Sequence, residues 1–255
     1  MSGLLSRNAH TALSSDRDDH SIPFTYETYE ALLDELRARG YEFTSYGGTV
    51  EDGEVLLRHD VDWSPRRASK MARLEADHGV SATYFFLLSS PFYNPLYEET
   101  REAIERITSL GHDVELHFST HQYWSSEPAE EDLVAAVDRE REILSSIVDE
   151  PIDTVSFHIP PDWVLKRSYD GFLSTYEKRF FDSIGYSADS NQRWRRSPPF
   201  AEGIPDRLQI LVHPGLWAET DQTFAERLYR ERDDQFGAIS DFLTYQFIDD
   251  EVSRA

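Results

Sequence analysis

The chain has 255 residues with 48 acidic against 25 basic side chains, a formal net charge of −23, and no cysteine. A hydrophobic fraction of 39% supplies a sizeable core and argues against disorder of the whole chain, while the missing cysteines exclude disulfides, thiolate metal sites and a cysteine nucleophile. The charge disfavours nucleic-acid or anionic-membrane binding, since Lys/Arg clusters of useful size are lacking; only Lys70, Lys166 and Lys178 are lysines. Such a chain repels itself in dilute buffer, but at molar salt the Debye length falls to about 3 Å. The balance therefore predicts a high-salt cytoplasm, like that of a halophilic archaeon. An acidic face for a cationic partner is the weaker explanation, because the acids are spread through every segment.

Residues 1–21 are polar around Ser14-Ser15-Asp16-Arg17-Asp18-Asp19 and are expected to form a mobile tail; they lack a continuous apolar h-region. From Thr25, the positions Tyr29, Leu32, Leu33 and Leu36 have helical spacing and end at Gly40. Val55-Leu56-Leu57 reads as a buried strand running into Arg58-His59-Asp60-Val61-Asp62. Ser64-Pro65 starts a helix whose stripe is Ala68, Met71 and Leu74, up to Gly79. The strand Ala82–Leu88 follows, then a helix with Ile104, Ile107 and Leu110 stopped by Gly111. The strand His112–His117 leads into Phe118-Ser119-Thr120-His121. A helix from about Glu130 to Ile147, a strand Thr154–Phe157, a possible strand near Tyr186, a strand Leu208–Val212 ending at His213-Pro214, and a helix from roughly Gln222 to Phe242 complete the pattern. Strands alternating with helices predict βα units and a parallel sheet, with ligands gathering at the carboxyl ends of the strands. No repeat or low-complexity linker divides residues 22–255, which are expected to form a single domain, and no stretch approaches eighteen apolar residues.

The chemistry-bearing residues stand where apolar runs stop. Asp60 and Asp62, two apart, leave an extended strand on one face, so one can bind a cation while the other accepts a proton; alternatively Asp62 N-caps the helix at Ser64-Pro65, or both are solvated loop acids. His117 and His121 form an H-x3-H pair, which is either a pair of ligands or two structural histidines. Joined to Asp62 it completes two imidazoles and one carboxylate with open positions. His213 is either a core imidazole or the acid that protonates a leaving amine.

These segments resemble the motifs of the polysaccharide deacetylase family, the NodB-type metal-dependent N-deacetylases, and in particular divergent members bearing His-Asp-Val-Asp. Arg58–Asp62 resembles the first motif, His117-x3-His121 the second, Phe157-His158-Ile159-Pro160-Pro161 the third, and Leu211-Val212-His213 the last; the likeness spans roughly residues 50–217. The resemblance implies a distorted (β/α) barrel of about seven parallel strands. It further implies one divalent ion, Zn²⁺ by expectation, held by Asp62, His117 and His121, with Asp60 as base and His213 as acid. Two departures stand out. Val61 separates the aspartates, so the roles of Asp60 and Asp62 are exchangeable, and the usual third-motif arginine is missing, leaving His158 or Arg58 to substitute. Asp189 and Arg58 are expected to orient the catalytic side chains, and Trp163, Trp194 and Trp217 to stack on a sugar face or pack internally. The implied function is removal of an N-acetyl group from a small-molecule or carrier-linked amino sugar inside the cell. The alternatives are deacylation of another amide or an O-acyl ester, or a non-catalytic metal- or sugar-binding protein.

Overall fold

In a computed structural model the described residues are 22–201 and 203–248; the expected tail at residues 1–21 lies outside them. Helix α1 spans Tyr26–Ala38, capped by the Thr25 side chain, which accepts from the Thr28 N–H. There follow β1 (Glu42–Thr44), β2 (Glu54–Val61), α2 (Pro65–Asp77), β3 (Thr83–Leu87), α3 (Glu98–Ser109), β4 (Asp113–Phe118), α4 (Glu130–Val148) and β5 (Thr154–Phe157). The second half holds β6 (Leu173–Ser174), α5 (Lys178–Phe181), β7 (Gly185–Ala188), β8 (Arg207–Val212) and α6 (Phe224–Leu243).

Seven strands run in the order β6-β5-β4-β3-β2-β8-β7, every pairing parallel, and β1 pairs with the first residues of β2. The sheet curls into a partial barrel with helices outside, as the resemblance implied. Parallel strands covered on both faces are apolar nearly throughout, and β2 and β3 are buried at almost every position. Val55, Leu57 and Val61 of β2 pack outward with Met71 and Ala72 of α2 and Leu33 of α1. Leu56, on the opposite face, joins Phe180 and Val50 at the bottom of the barrel.

This alternation decides which groups the site receives. Arg58 and Asp60 share the inner face with Leu56, and Asp62 follows just beyond the end of the strand. Register then aligns the strand tips: Asp60 lies beside Phe85, Leu87 beside His117, and His117 beside Ser156. β1 and β6, at three and two residues, are additions to the strands expected from the sequence. The helix after β2 begins at Pro65 as expected, but neither Asp62 nor Ser64 caps it by a side-chain hydrogen bond.

Candidate metal and active site

Asp62 is set by the way β2 ends. The Ser90 hydroxyl donates to the Asp62 carbonyl at 2.6 Å and the Tyr93 hydroxyl to the Val61 carbonyl at 2.8 Å, which fixes the backbone as it leaves the sheet. Asp62 Oδ1 lies 3.2 Å from His117 Nε2 and 3.1 Å from His158 Nδ1, and those two nitrogens are 3.2 Å apart. Oδ1 is buried and accepts no well-directed hydrogen bond from either ring. Three donor atoms within 3.2 Å of one another, one of them an unpartnered carboxylate oxygen, fit a cation: tetrahedral Zn²⁺ with Zn–N near 2.0–2.1 Å separates its ligands by about 3.3–3.4 Å. Asp62, His117 and His158 are the cluster with metal-holding spacing among the described residues.

His117 is prepared for this role. Its Nδ1–H donates to the Ser156 carbonyl and hydroxyl oxygen, both at 3.1 Å, so that Nε2 is the nitrogen turned toward Asp62 and His158. A ligand histidine whose second nitrogen donates to backbone is the usual outer-shell arrangement.

The set differs from the expected Asp62, His117 and His121 in one member. After β4 the chain enters a short 3₁₀ turn, Thr120–Gln122, that buries Thr120 and carries His121 to the surface. There His121 Nε2 donates to the carbonyl of Ile159, at 3.0 Å. His158, expected as a substitute for the missing arginine, stands in the cluster instead.

Asp60 sits beside this group, its Oδ2 3.8 Å from His117 Nε2. The buried Arg58 donates to Asp60 Oδ2 at 3.2 Å and the Tyr176 hydroxyl at 2.9 Å; it also reaches Thr175 and Gln209. Ser156 Oγ donates to both Asp60 oxygens, at 3.1 and 3.2 Å. Burial pushes the Asp60 carboxyl up, but Arg58, His117 and His213 outweigh it and hold it below the usual range. For Asp62, burial is likewise outweighed, here by His117 and His158. Arg58 thus bonds to the Asp60 carboxylate from within the same strand, two residues before it.

His213, at the tip of β8, is held by the fully buried Asp189. The His213 Nδ1–H donates to Asp189 Oδ1 at 2.6 Å, the His213 backbone N–H reaches both oxygens, and the Trp217 indole donates to Oδ2 at 2.8 Å. Burial lowers the His213 imidazole, but Asp189 more than offsets this and pushes it up to about 9. Asp189 therefore holds His213 by both its ring and its backbone. Trp217 acts through Asp189 and is almost fully buried, so it has no face for a sugar; the same burial removes Trp194, whose indole donates to Ser187. Trp163 packs half-buried against the core.

Asp60, Asp62, His117, His158 and His213 all line one cavity of about 680 Å³ at the carboxyl ends of the strands. Its walls include Trp63, Phe92 and Phe224, and Trp63 is the aromatic platform the sequence reading passed over. Ser156 was missed as well; its signal was its place two residues before His158 on an alternating strand.

Residues 47–161 match the family model described as polysaccharide deacetylase, so the resemblance drawn from the motifs is borne out over the segment carrying the first three of them. Among solved structures, the chain is similar to a family 4 carbohydrate esterase from Bacillus anthracis (16% identity, 81% of this chain and 86% of that one, TM-score 0.43). It is similar also to a polysaccharide deacetylase from Bacillus cereus (13%, 74% and 89%, 0.47) and to the chitin deacetylase of Colletotrichum lindemuthianum (13%, 73% and 84%, 0.46). No curated protein matches.

Proposed function

We propose that this protein is a metal-dependent hydrolase that removes an N-acetyl group from an amino sugar, working as a single domain over residues 22–255 in the cytoplasm of a high-salt cell. The observation that supports it best is the convergence of Asp62, His117 and His158 within ligand distance of one another, with Asp60 and His213 facing the same cavity. Asp62, His117 and His158 would hold the divalent ion, Zn²⁺ by the nature of its nitrogen and oxygen donors. When bound, such an ion lowers the pKa of water and polarises an acyl oxygen.

The chain's own groups supply the proton transfers. Asp60, kept ionised by Arg58, accepts a proton from water at its carboxylate. Ser156 and Arg58 fix the orientation of that carboxylate, so it loses little freedom as it acts. His213, protonated through Asp189, donates from Nε2 to the departing amine. Trp63 offers an aromatic wall for a sugar ring. Among the described residues no helix is long and apolar enough to cross a membrane.

The test is acetate release from N-acetyl amino sugars, free and nucleotide-linked, by protein in molar KCl loaded with Zn²⁺. Activity that disappears on chelation, returns with metal and is abolished in Asp60→Asn supports the assignment. No acetate from any of these substrates removes it. Release of a different acyl group, with the same dependence on Asp60 and metal, would transfer the site to another deacylation.

A further inference from the structure

The cavity is electrically unusual for its chain. Two carboxylates stand at its base in a protein of net −23, and the proposed ion and His213 that offset them belong to the acyl end, so an anionic group elsewhere on a substrate needs a cation of its own. Among the described residues lining it, Arg193 is the one lysine or arginine, and its guanidinium has no ion pair or hydrogen bond. Acidic side chains outnumber basic ones nearly two to one, and on the same turn Arg195 is clamped by both oxygens of Asp221, at 2.9 and 2.5 Å. Arg193 has been left free at the mouth.

The backbone that presents it is held in a sparsely populated conformation. Asn191 and Gln192, neither of them glycine, take consecutive left-handed conformations at φ 54° and 56°. Strain of this kind persists where surrounding contacts over-determine it, and it gathers at ligand clamps. Here the anchors are visible: buried Gln192 donates to the Gln222 carbonyl at 2.9 Å and accepts from Arg195 Nε at 3.0 Å, and buried Trp194 donates to Ser187 at 3.1 Å. Gln192 and Trp194 pin the turn from below, while Asn191 and Arg193, the exposed residues that alternate with them, line the cavity. A guanidinium fork beside an amide and the Ser190 side chain suits a planar or tetrahedral oxyanion.

We infer that Ser190, Asn191 and Arg193 form an oxyanion-recognition subsite at the cavity mouth, so that the substrate is an acylated amine carrying a phosphate or carboxylate group. The substrate part of this rests on the deacetylase reading; the subsite itself does not. It makes Arg193 a specificity-determining residue, acting on the substrate away from the acyl group.

The experiment is calorimetric titration of metal-loaded Asp60→Asn protein, which binds without turnover. The probes are N-acetylglucosamine, its 1-phosphate, a carboxylate-bearing N-acetyl amino sugar and inorganic pyrophosphate, all in the same salt. At least one anionic sugar is expected to bind about tenfold more tightly than the neutral one, as a charge-assisted contact allows. The phosphate and carboxylate arms tell which oxyanion is preferred. Adding Arg193→Gln should reduce that advantage below threefold without changing the neutral sugar, and Arg193→Lys should restore part of it. Equal binding of neutral and anionic probes, an advantage that persists in Arg193→Gln, or no binding of any anion overturns the subsite. Anion preference without acetate release by the parent protein would remove the deacetylase reading and leave the subsite standing.

Discussion

Replacing His158 and His121 separately by alanine discriminates the two ligand sets, because the two histidines make different contacts. His158 Nδ1 lies 3.1 Å from Asp62 Oδ1 and 3.2 Å from His117 Nε2, so its loss removes one of the three donors proposed to hold the cation. His121 touches only the carbonyl of Ile159, one residue beyond His158. Ile159 has φ 44°, a conformation foreign to β-branched residues, so the His121 bond steadies the backbone that carries His158. Outer-shell partners of this kind are worth about 10–100-fold in metal affinity. The His121→Ala variant should therefore lose no more than that, and His158→Ala should lose more than about 100-fold, beyond about 2.7 kcal/mol. Competition between the protein and a chromophoric chelator for Zn²⁺ in molar KCl gives both constants, and elemental analysis after dialysis gives the stoichiometry. A His158→Ala protein that keeps wild-type affinity while His121→Ala loses its metal would refute the geometry and restore the H-x3-H pair.

Arg58→Leu should cost about 3–5 kcal/mol in chemical denaturation, since it strands the buried Asp60 carboxylate. It should also move the acid limb of activity to higher pH: Asp60 is depressed from 3.8, so its contribution to stability is present above that value and lost as pH falls, and without Arg58 burial raises its pKa. In Asp189→Asn the alkaline limb of kcat/KM should move to lower pH and the rate fall by roughly 10²–10⁴-fold. The sign follows from His213, raised from 6.5 to about 9: its charged form stabilises the fold below 6.5, and that stabilisation is lost as pH rises through about 9. An unchanged pH profile would remove His213 as the acid. Gly215→Ala should destabilise by about 1–3 kcal/mol and perturb the tryptophan fluorescence, because an added methyl would overlap the Trp63 indole, only 1.0 Å from its Nε1. Wild-type stability and spectrum would show that Trp63 is not packed there.

The fold was legible where two kinds of signal agreed. Strands buried on both faces read as apolar runs, and Gly40, Gly79 and Gly111 stop the helices in the sequence and in the structure, each with positive φ. The strands β1 and β6 left no trace because two or three residues cannot display a period. Asp60, Asp62 and His117 were readable because strand alternation and strand ends fix where they project. His121 was not, because H-x3-H spacing takes its meaning from the backbone after Phe118, and a 3₁₀ turn there turns the second imidazole outward. For Trp217 the sequence leaves sugar stacking and internal packing both open, and its indole donating to the buried Asp189 carboxylate decides for packing. Burial of that kind belongs to tertiary packing, which a sequence window does not contain.

Strand β2 carries two polar systems back to back, and the second explains how the first is held. Inward, Arg58 and Asp60 lead to Asp62; outward, His59 pairs with Glu75 of α2 at 2.6 Å and stacks on Tyr84. Glu75, fully buried, also accepts from the hydroxyls of Tyr29 on α1 and Tyr84 on β3. A buried carboxylate is tolerable only when its oxygens are satisfied, and here the donors come from α1, β2 and β3. A slip of α2 along β2 would break those contacts at once, so the outer network fixes the helix against the strand. Pro65, the first residue of that helix, stands three positions after Asp62. The register that satisfies Glu75 is thus the register that leaves Asp62 facing His117 and His158.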